Sequence, residues 1–310
     1  MAEEEFTQLA VVQEAKDAHE TELLAKPNVV GVGIGYKEKR GKILSDEGPV
    51  VQVYVRKKLP KTKLSADEMV TAEVNGAKTD VIEVGEIEAQ PFTARLRPAI
   101  PGYSIGHYKI TAGTFGCLVR DVCEPCHVHI LSNNHVLANS NAAAPGDPIL
   151  QPGRVDGGAI PNDVIARLSR FVPIRFGDPA RFNLVDAALA RPRDLRDVIA
   201  SITALGIPTG TVEATLGLEV VKSGRTTETT TGKVIGLNAT ISVGYGVGVG
   251  YFRNQILTTN MSAGGDSGSL LLSRADKKAT GLLFAGSSQV TVHNNISNVL
   301  MALGVELITA

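Results

Sequence analysis

From Glu3 to Ala25 the apolar residues Phe6, Leu9, Val12 and Ala15, then Leu23 and Leu24 after a break at His19, recur at helical spacing among Glu, Gln and Lys. That pattern predicts an amphipathic helix, ended by Pro27. Val29 to Tyr36 switches to large apolar residues at alternate positions with glycines between them, the period of a strand. Lys37-Glu-Lys-Arg-Gly41 reads as a charged hairpin turn, Val50 to Val55 as a second strand, and the basic run from Arg56 to Pro60 as its solvated end. Within 67–84 the spacing is more strand than helix, with Asn75-Gly76 as a hairpin turn between two arms. Residues 1–95 therefore read as a helix plus a small β module, and Pro91 to Pro101 as a linker.

From Gly102 onward the pattern changes to short β-type runs separated by Gly, Pro, Asn and Asp. Such runs predict a mainly β domain over 96–310, built as two packed six-stranded-type β-barrels, the first over about 102–192 and the second over about 206–310. The stretch 139–158 is polar and rich in Pro and Gly, so it reads as a surface loop, while 193–205 is mildly helical and crosses between the barrels. Leu218 to Thr227 and Gly232 to Gly236 read as strands joined by a threonine-rich arm. Gly281 to Gly286 is a further strand, and Asn294 to Leu303 a closing helix.

Composition narrows the function classes. Hydrophobic residues make up 43% of the 310, so the chain is globular, and its length suits one or two domains. The 31 basic and 32 acidic residues leave a net charge of −1, which gives no electrostatic footprint for nucleic acid or an anionic membrane. The acidic start Met-Ala-Glu-Glu-Glu lacks the pattern of a signal peptide, and no apolar run reaches the length of a membrane span. These features read as a cytoplasmic protein.

Two motifs point away from the chemistry they first suggest. Gly31, Gly33 and Gly35 lack the third glycine spacing and the following helix of a dinucleotide site. Cys123-Glu-Pro-Cys126-His127-Val-His129 offers four zinc-ligand types in seven residues, but structural zinc usually needs a second ligand pair brought from elsewhere, and none is present. That segment reads as a hairpin tip whose second arm delivers His135, and the expectation is no metal and no cofactor. Three cysteines, an odd number, make no disulfide framework.

The candidate chemistry lies in three segments. Thr258 to Leu272 contains Gly264-Gly265-Asp266-Ser267-Gly268, where small residues let backbone N–H groups converge beside an exposed hydroxyl; the same composition also suits an ordinary turn. A serine needs an imidazole base, itself oriented by a carboxylate. His135 stands where an apolar strand ends in the polar corner Ser132-Asn-Asn-His135, and Asp186 stands among apolar neighbours in Asn183-Leu-Val-Asp186-Ala-Ala-Leu. The order His, Asp, Ser differs from that of α/β-hydrolases and subtilisins, and the strand-like Leu270-Leu-Leu272 after the serine does not suit a nucleophile elbow.

SNNHVL, NLVDAALA and SAGGDSGSLLL resemble the three signature segments of trypsin-like, chymotrypsin-fold serine peptidases, over roughly Gly102 to the C-terminus. Within that family the chain is similar to intracellular bacterial and plant members with an N-terminal extension. The resemblance implies nucleophile Ser267, general base His135, orienting Asp186 and oxyanion donors from the backbone N–H of Gly265 and Ser267. It also implies a primary pocket based on Met261 and walled by Phe284, Ala285 and Gly286, with preference for a medium-sized apolar residue before the scissile bond. Val136 and Ala263 stand where secreted relatives carry cysteines, as a reducing compartment explains. The ordering role of a mature N-terminus has no counterpart here, so the nucleophile loop is either pre-formed or ordered in another way.

The implied function is a serine endopeptidase acting on protein or peptide substrates through an acyl-enzyme. The alternative is a non-catalytic or latent scaffold of the same fold, acting as a protein-binding or oligomeric module. The N-terminal module carries no visible chemistry and reads as cover, adaptor surface or contact for homo-oligomers.

Overall fold

A computed structural model describes residues 2–39, 42–85 and 92–310, with side chains from Thr7 onward. Residues Met1–Ala89 and Gln90–Ala310 form two compact units. In the first, helix α1 (Ala2–Leu24) precedes strands β1 (Val29–Lys39), β2 (Lys42–Val55), β3 (Glu73–Val74) and β4 (Ala77–Glu83). The sheet order is β1-β2-β4-β3, with β2 and β4 parallel. Val12, Ala15 and Leu23 of the helix pack with Val51, Val53 and Val55. Leu9 and Leu24, expected on the apolar face, are exposed instead, and the Phe6 side chain lies outside the described residues. Asn75 and Gly76 both take positive φ, as a two-residue hairpin turn requires. Of the turn expected over Lys37 to Gly41, Lys37 to Lys39 belong to β1, paired with Lys42 to Leu44, and Arg40 and Gly41 lie outside the described residues.

The second unit begins with β5 (Ser104–His107), β6 (Gly113–Thr114), β7 (Cys117–Asp121) and β8 (Val128–Ser132), then the single turn α2 (Asn134–Leu137), β9 (Pro148–Leu150), β10 (Val164–Phe171) and β11 (Ala188–Pro192). It continues with β12 (Glu219–Gly224), β13 (Glu228–Gly244), β14 (Val249–Thr259), β15 (Leu270–Ser273), β16 (Ala279–Gly286), β17 (Val290–Asn295), helix α3 (Ile296–Leu303) and β18 (Val305–Leu307). Strands β12-β13-β14-β17-β16-β15 close a six-stranded barrel. The other sheet has eight strands in the order β18-β7-β8-β11-β10-β9-β5-β6, because the chain returns after α3 to pair β18 with β7.

Two local expectations change. The 139–158 loop contains β9, whose Ile149 and Leu150 are buried and pair with β5 and β10. The segment 193–205 has one short 3-10 turn, Leu195–Asp197, because the Asp194 side chain accepts from the Arg196 N–H and Ala204 and Gly206 take positive φ. A buried cluster containing Leu131 and Leu189 from one sheet, Val185 just before β11, and Leu270, Leu272 and Leu282 from the other sheet joins the two barrels. The candidate site lies at that seam.

Candidate active site

His135 sits on α2, immediately after β8. Asn139, Ser140 and Asn141 then take left-handed conformations, which stops the helix after one turn. Asn141 is held there by reciprocal hydrogen bonds with Asn134 and by Ile174. The His135 imidazole thus leaves a rigid corner and is 23% exposed, while Asp186 is fully buried.

His135 Nδ1 lies 2.6 Å from Asp186 Oδ2, and the His135 backbone N–H donates to Oδ1 at 3.2 Å. A third donor, the Tyr245 hydroxyl, reaches Oδ2 at 2.9 Å. The Asp186 backbone is fixed as well: its carbonyl accepts from Asn133 Nδ2 at 2.7 Å and its N–H donates to the Asn294 side chain. A buried carboxylate with three donors meets the requirement that buried charge be hydrogen-bonded.

Ser267 is half-buried on the loop between β14 and β15. Its hydroxyl donates to the Phe284 carbonyl at 3.4 Å, and no hydrogen bond joins it to His135. The loop is built around Asp266. That carboxylate accepts from the N–H groups of Ala263, Thr226 and Thr227 and from the Thr227 hydroxyl, and it faces Lys222 Nζ at 3.3 Å. Lys222 and Asp266 are both fully buried. Burial alone would push the Asp266 carboxyl up, but the ammonium and the four hydrogen bonds hold it below its ordinary value. Burial pulls the Lys222 ammonium down, opposed by Asp266.

The orientation of the Gly265 peptide follows from two hydroxyls. Thr226 Oγ1 donates to the Gly264 carbonyl at 2.8 Å and Thr114 Oγ1 to the Gly265 carbonyl at 2.9 Å. A trans peptide points its N–H opposite to its carbonyl, so the Gly265 N–H faces away from Thr226. Among the described residues, neither the Gly265 nor the Ser267 N–H has a protein acceptor. Gly265 (φ +102°) has Thr226 Oγ1 where a Cβ would stand, and Gly268 (φ +98°) has Ser132 Oγ and the Thr114 carbonyl there. Only glycine fits either position.

The pocket residues divide. A cavity of about 330 Å³ beside Ser267 is lined by Asn260, Ser262, Ser287 and Ser288 together with Ala285 and Gly286. Met261 is not part of it; it packs against Val220, Val234, Ile256 and Leu271 inside the closed barrel. Side chains alternate faces along an extended segment, so Asn260 and Ser262 face the cleft and Met261 the core. Phe284 lines a second cavity of about 470 Å³ with His135 and Tyr245, again with Ala285 and Gly286. The cavity beside Ser267 is thus lined by amide and hydroxyl groups and not by the Met261 side chain.

Sequence reading missed Tyr245, Lys222 and Asn294. The threonine-rich arm was visible, but not that its N–H groups and hydroxyls clasp Asp266. The Cys123 and Cys126 thiols are exposed on the β7–β8 hairpin tip. The neighbouring His127 pairs with Glu124 at 2.5 Å, and His129 with Asp121 at 3.1 Å. Among the described residues, no three His, Cys, Asp or Glu side chains are grouped to hold a metal.

The second unit packs a closed six-stranded barrel against an eight-stranded sheet. Solved structures similar to this chain include Thermobifida fusca Protease A, 21% identical over 68% of this chain and 98% of that one, with a TM-score of 0.49. Nocardiopsis protease is 20% identical at the same coverages, with a TM-score of 0.49. Cellulomonas bogoriensis chymotrypsin is 21% identical, also at those coverages, with a TM-score of 0.47. No protein-family model and no curated protein matches the chain.

Proposed function

We propose that the chain is a serine endopeptidase that hydrolyses peptide bonds through Ser267, His135 and Asp186. The observation that carries this reading is the His135–Asp186 pair, 2.6 Å apart with the carboxylate fully buried; the cavity that His135 lines shares Ala285 and Gly286 with the cavity that Ser267 lines. His135 Nε2 takes the Ser267 proton as Oγ attacks the scissile carbonyl. The oxyanion is received by the N–H groups of Gly265 and Ser267. The imidazolium returns its proton to the leaving amine, leaving an acyl-enzyme, and a water activated by the same base then releases the acid.

The cleft beside Ser267 supports specificity for a small polar residue before the scissile bond. Asn260 and Ser262 supply uncharged hydrogen-bonding groups, and Ser262 Oγ meets Thr291 Oγ1 at 2.8 Å. None of the side chains lining the cavity carries a charge to match an Arg, Lys or Glu side chain, which would be costly to bury alone. Protein or peptide substrates and a cytoplasmic setting go with this reading; the exposed thiols of Cys123 and Cys126 suit a reducing compartment. A latent form is the second reading, favoured by the Ser267 hydroxyl bonding to the Phe284 carbonyl instead of His135. Catalytic hydrogen bonds are often long in the absence of substrate, so the first reading stands.

Peptide-library hydrolysis by the full chain and by Ser267→Ala tests the function. Turnover should fall about 10⁴-fold or more in the variant with the folded state retained. Residual turnover within tenfold of wild type rejects Ser267 as the nucleophile.

A further inference from the structure

The Asp186 carboxylate receives a hydrogen bond from an element of the other barrel. Tyr245 stands at the tip of the β13–β14 hairpin, in Gly244-Tyr-Gly-Val-Gly248, a turn closed by the Tyr245 N–H donating to the Gly248 carbonyl at 2.9 Å. Its ring meets His135 edge-on with centroids 5.7 Å apart and Phe176 edge-on at 5.6 Å, and lies 6.0 Å from Phe252. The hairpin is itself tied down: Phe176 bridges Gly250, Asn183 bridges Phe252, and the Asn183 side chain donates to the Tyr251 carbonyl at 3.2 Å. The hydroxyl therefore arrives at Asp186 Oδ2 on a ring packed on three sides, at low conformational cost.

We propose that Tyr245 is a positioning residue for the His135–Asp186 pair: its hydroxyl fixes the rotation of the Asp186 carboxylate and draws off part of the charge that Oδ2 presents to His135. This rests on the peptidase reading of the site. Oδ2 is the oxygen that also meets His135 Nδ1, so the phenol and the imidazole share one acceptor atom. Oδ1 is held separately by the His135 backbone N–H. With both oxygens occupied, the carboxylate cannot turn without breaking a bond. Burial, then the neighbouring Asp186 charge, pushes the phenol far up, so it remains a proton donor throughout the working range. Asp186 and Tyr245 are the titratable groups that contact the imidazole among the described residues.

The test is Tyr245→Phe in the full chain, which removes one oxygen and keeps the ring contacts and hence the fold. Without the second donor, more negative charge faces His135 and favours its protonated form, which cannot act as base. The acid limb of the kcat/KM profile should move to higher pH, with a loss of about tenfold on the acid side that is largely recovered on the alkaline side, and with KM little changed. The low-field Nδ1 proton resonance of His135 should move in the same variant, a readout independent of turnover. An unchanged profile and resonance, or a loss equal at every pH, overturns the proposal. Absence of turnover in wild type would instead sink the peptidase reading, and the resonance would still decide the role of Tyr245.

Discussion

Two buried carboxylates stand a few residues from the candidate chemistry, and they are held in opposite ways. Among the described residues, Asp186 has three hydrogen-bond donors and no ion-pair partner besides the His135 imidazole, whereas Asp266 has four donors and the Lys222 ammonium. The charge on Asp266 is matched in the resting state, so it holds the loop and does not compete for the imidazolium. Asp186 instead faces the His135 imidazole, which would become its counter-ion on taking the Ser267 proton in the proposed reaction. An uncompensated buried carboxylate stabilises the charge that develops during reaction, and a compensated one stabilises a conformation.

The comparison can be broken at either end. The largest expected effect is that of Asp186→Asn, a loss of about 10⁴-fold in kcat through the wrong imidazole tautomer, with little loss of stability. If Asp178 or Asp194 carries that phenotype instead, the pairing drawn here is wrong. Lys222→Met acts on the other carboxylate and should cost about 3 to 5 kcal/mol of stability, because it leaves Asp266 charged and buried without its partner. Lys222→Met with Asp266→Asn should recover much of that stability in denaturant titrations. A double variant no better than the single one would show that the ion pair is not what holds the loop.

The pH dependence of stability sharpens the same contrast. The folded-state value of Asp266 is depressed, so its contribution is present above the ordinary carboxylate range and is lost as pH falls through the folded value. His293, fully buried in the closed barrel, acts in the same direction but from a higher pH. Burial, reinforced by Lys222, pushes it down to about 3 from 6.5, so the unfolded chain binds its proton first and stability falls as pH drops below about 6.5. His293→Gln should flatten the stability profile between pH 6.5 and pH 4. A slope unchanged from wild type would place the acid sensitivity elsewhere. The smallest effect is expected in the pocket: Ser262→Ala with Thr291→Val should shift the preferred residue before the scissile bond toward apolar side chains by about tenfold. A digest still dominated by polar residues would move the pocket away from these positions.

Much of the candidate site is legible in the chain because each of its main residues lies in a local pattern. An apolar strand ending in Ser132-Asn-Asn places His135, an acidic residue inside an apolar run marks Asp186, and a glycine cluster marks Ser267. The supports were not legible, since they depend on long-range pairing. Tyr245 lies 59 residues from Asp186 and is brought to it by the register of a hairpin, and Lys222 reads in isolation as one more charge in a strand. Met261 lies inside the barrel and not beside Ser267 for a geometric reason: alternation along an extended segment turns every other side chain to the opposite face, which position in the chain alone does not reveal. The two-barrel fold followed from strand spacing, but not the return of β18 to the first sheet, which no local signal announces.

The claim that Ser267 is a nucleophile activated by His135 and Asp186 is tested most directly by covalent labelling of the folded full chain with a fluorophosphonate, followed by mass mapping of the modified peptide. One label on Ser267 is expected, absent in Ser267→Ala and slowed by about 10⁴-fold in Asp186→Asn. No label on the folded wild-type chain, or a label on a serine other than Ser267, would contradict it.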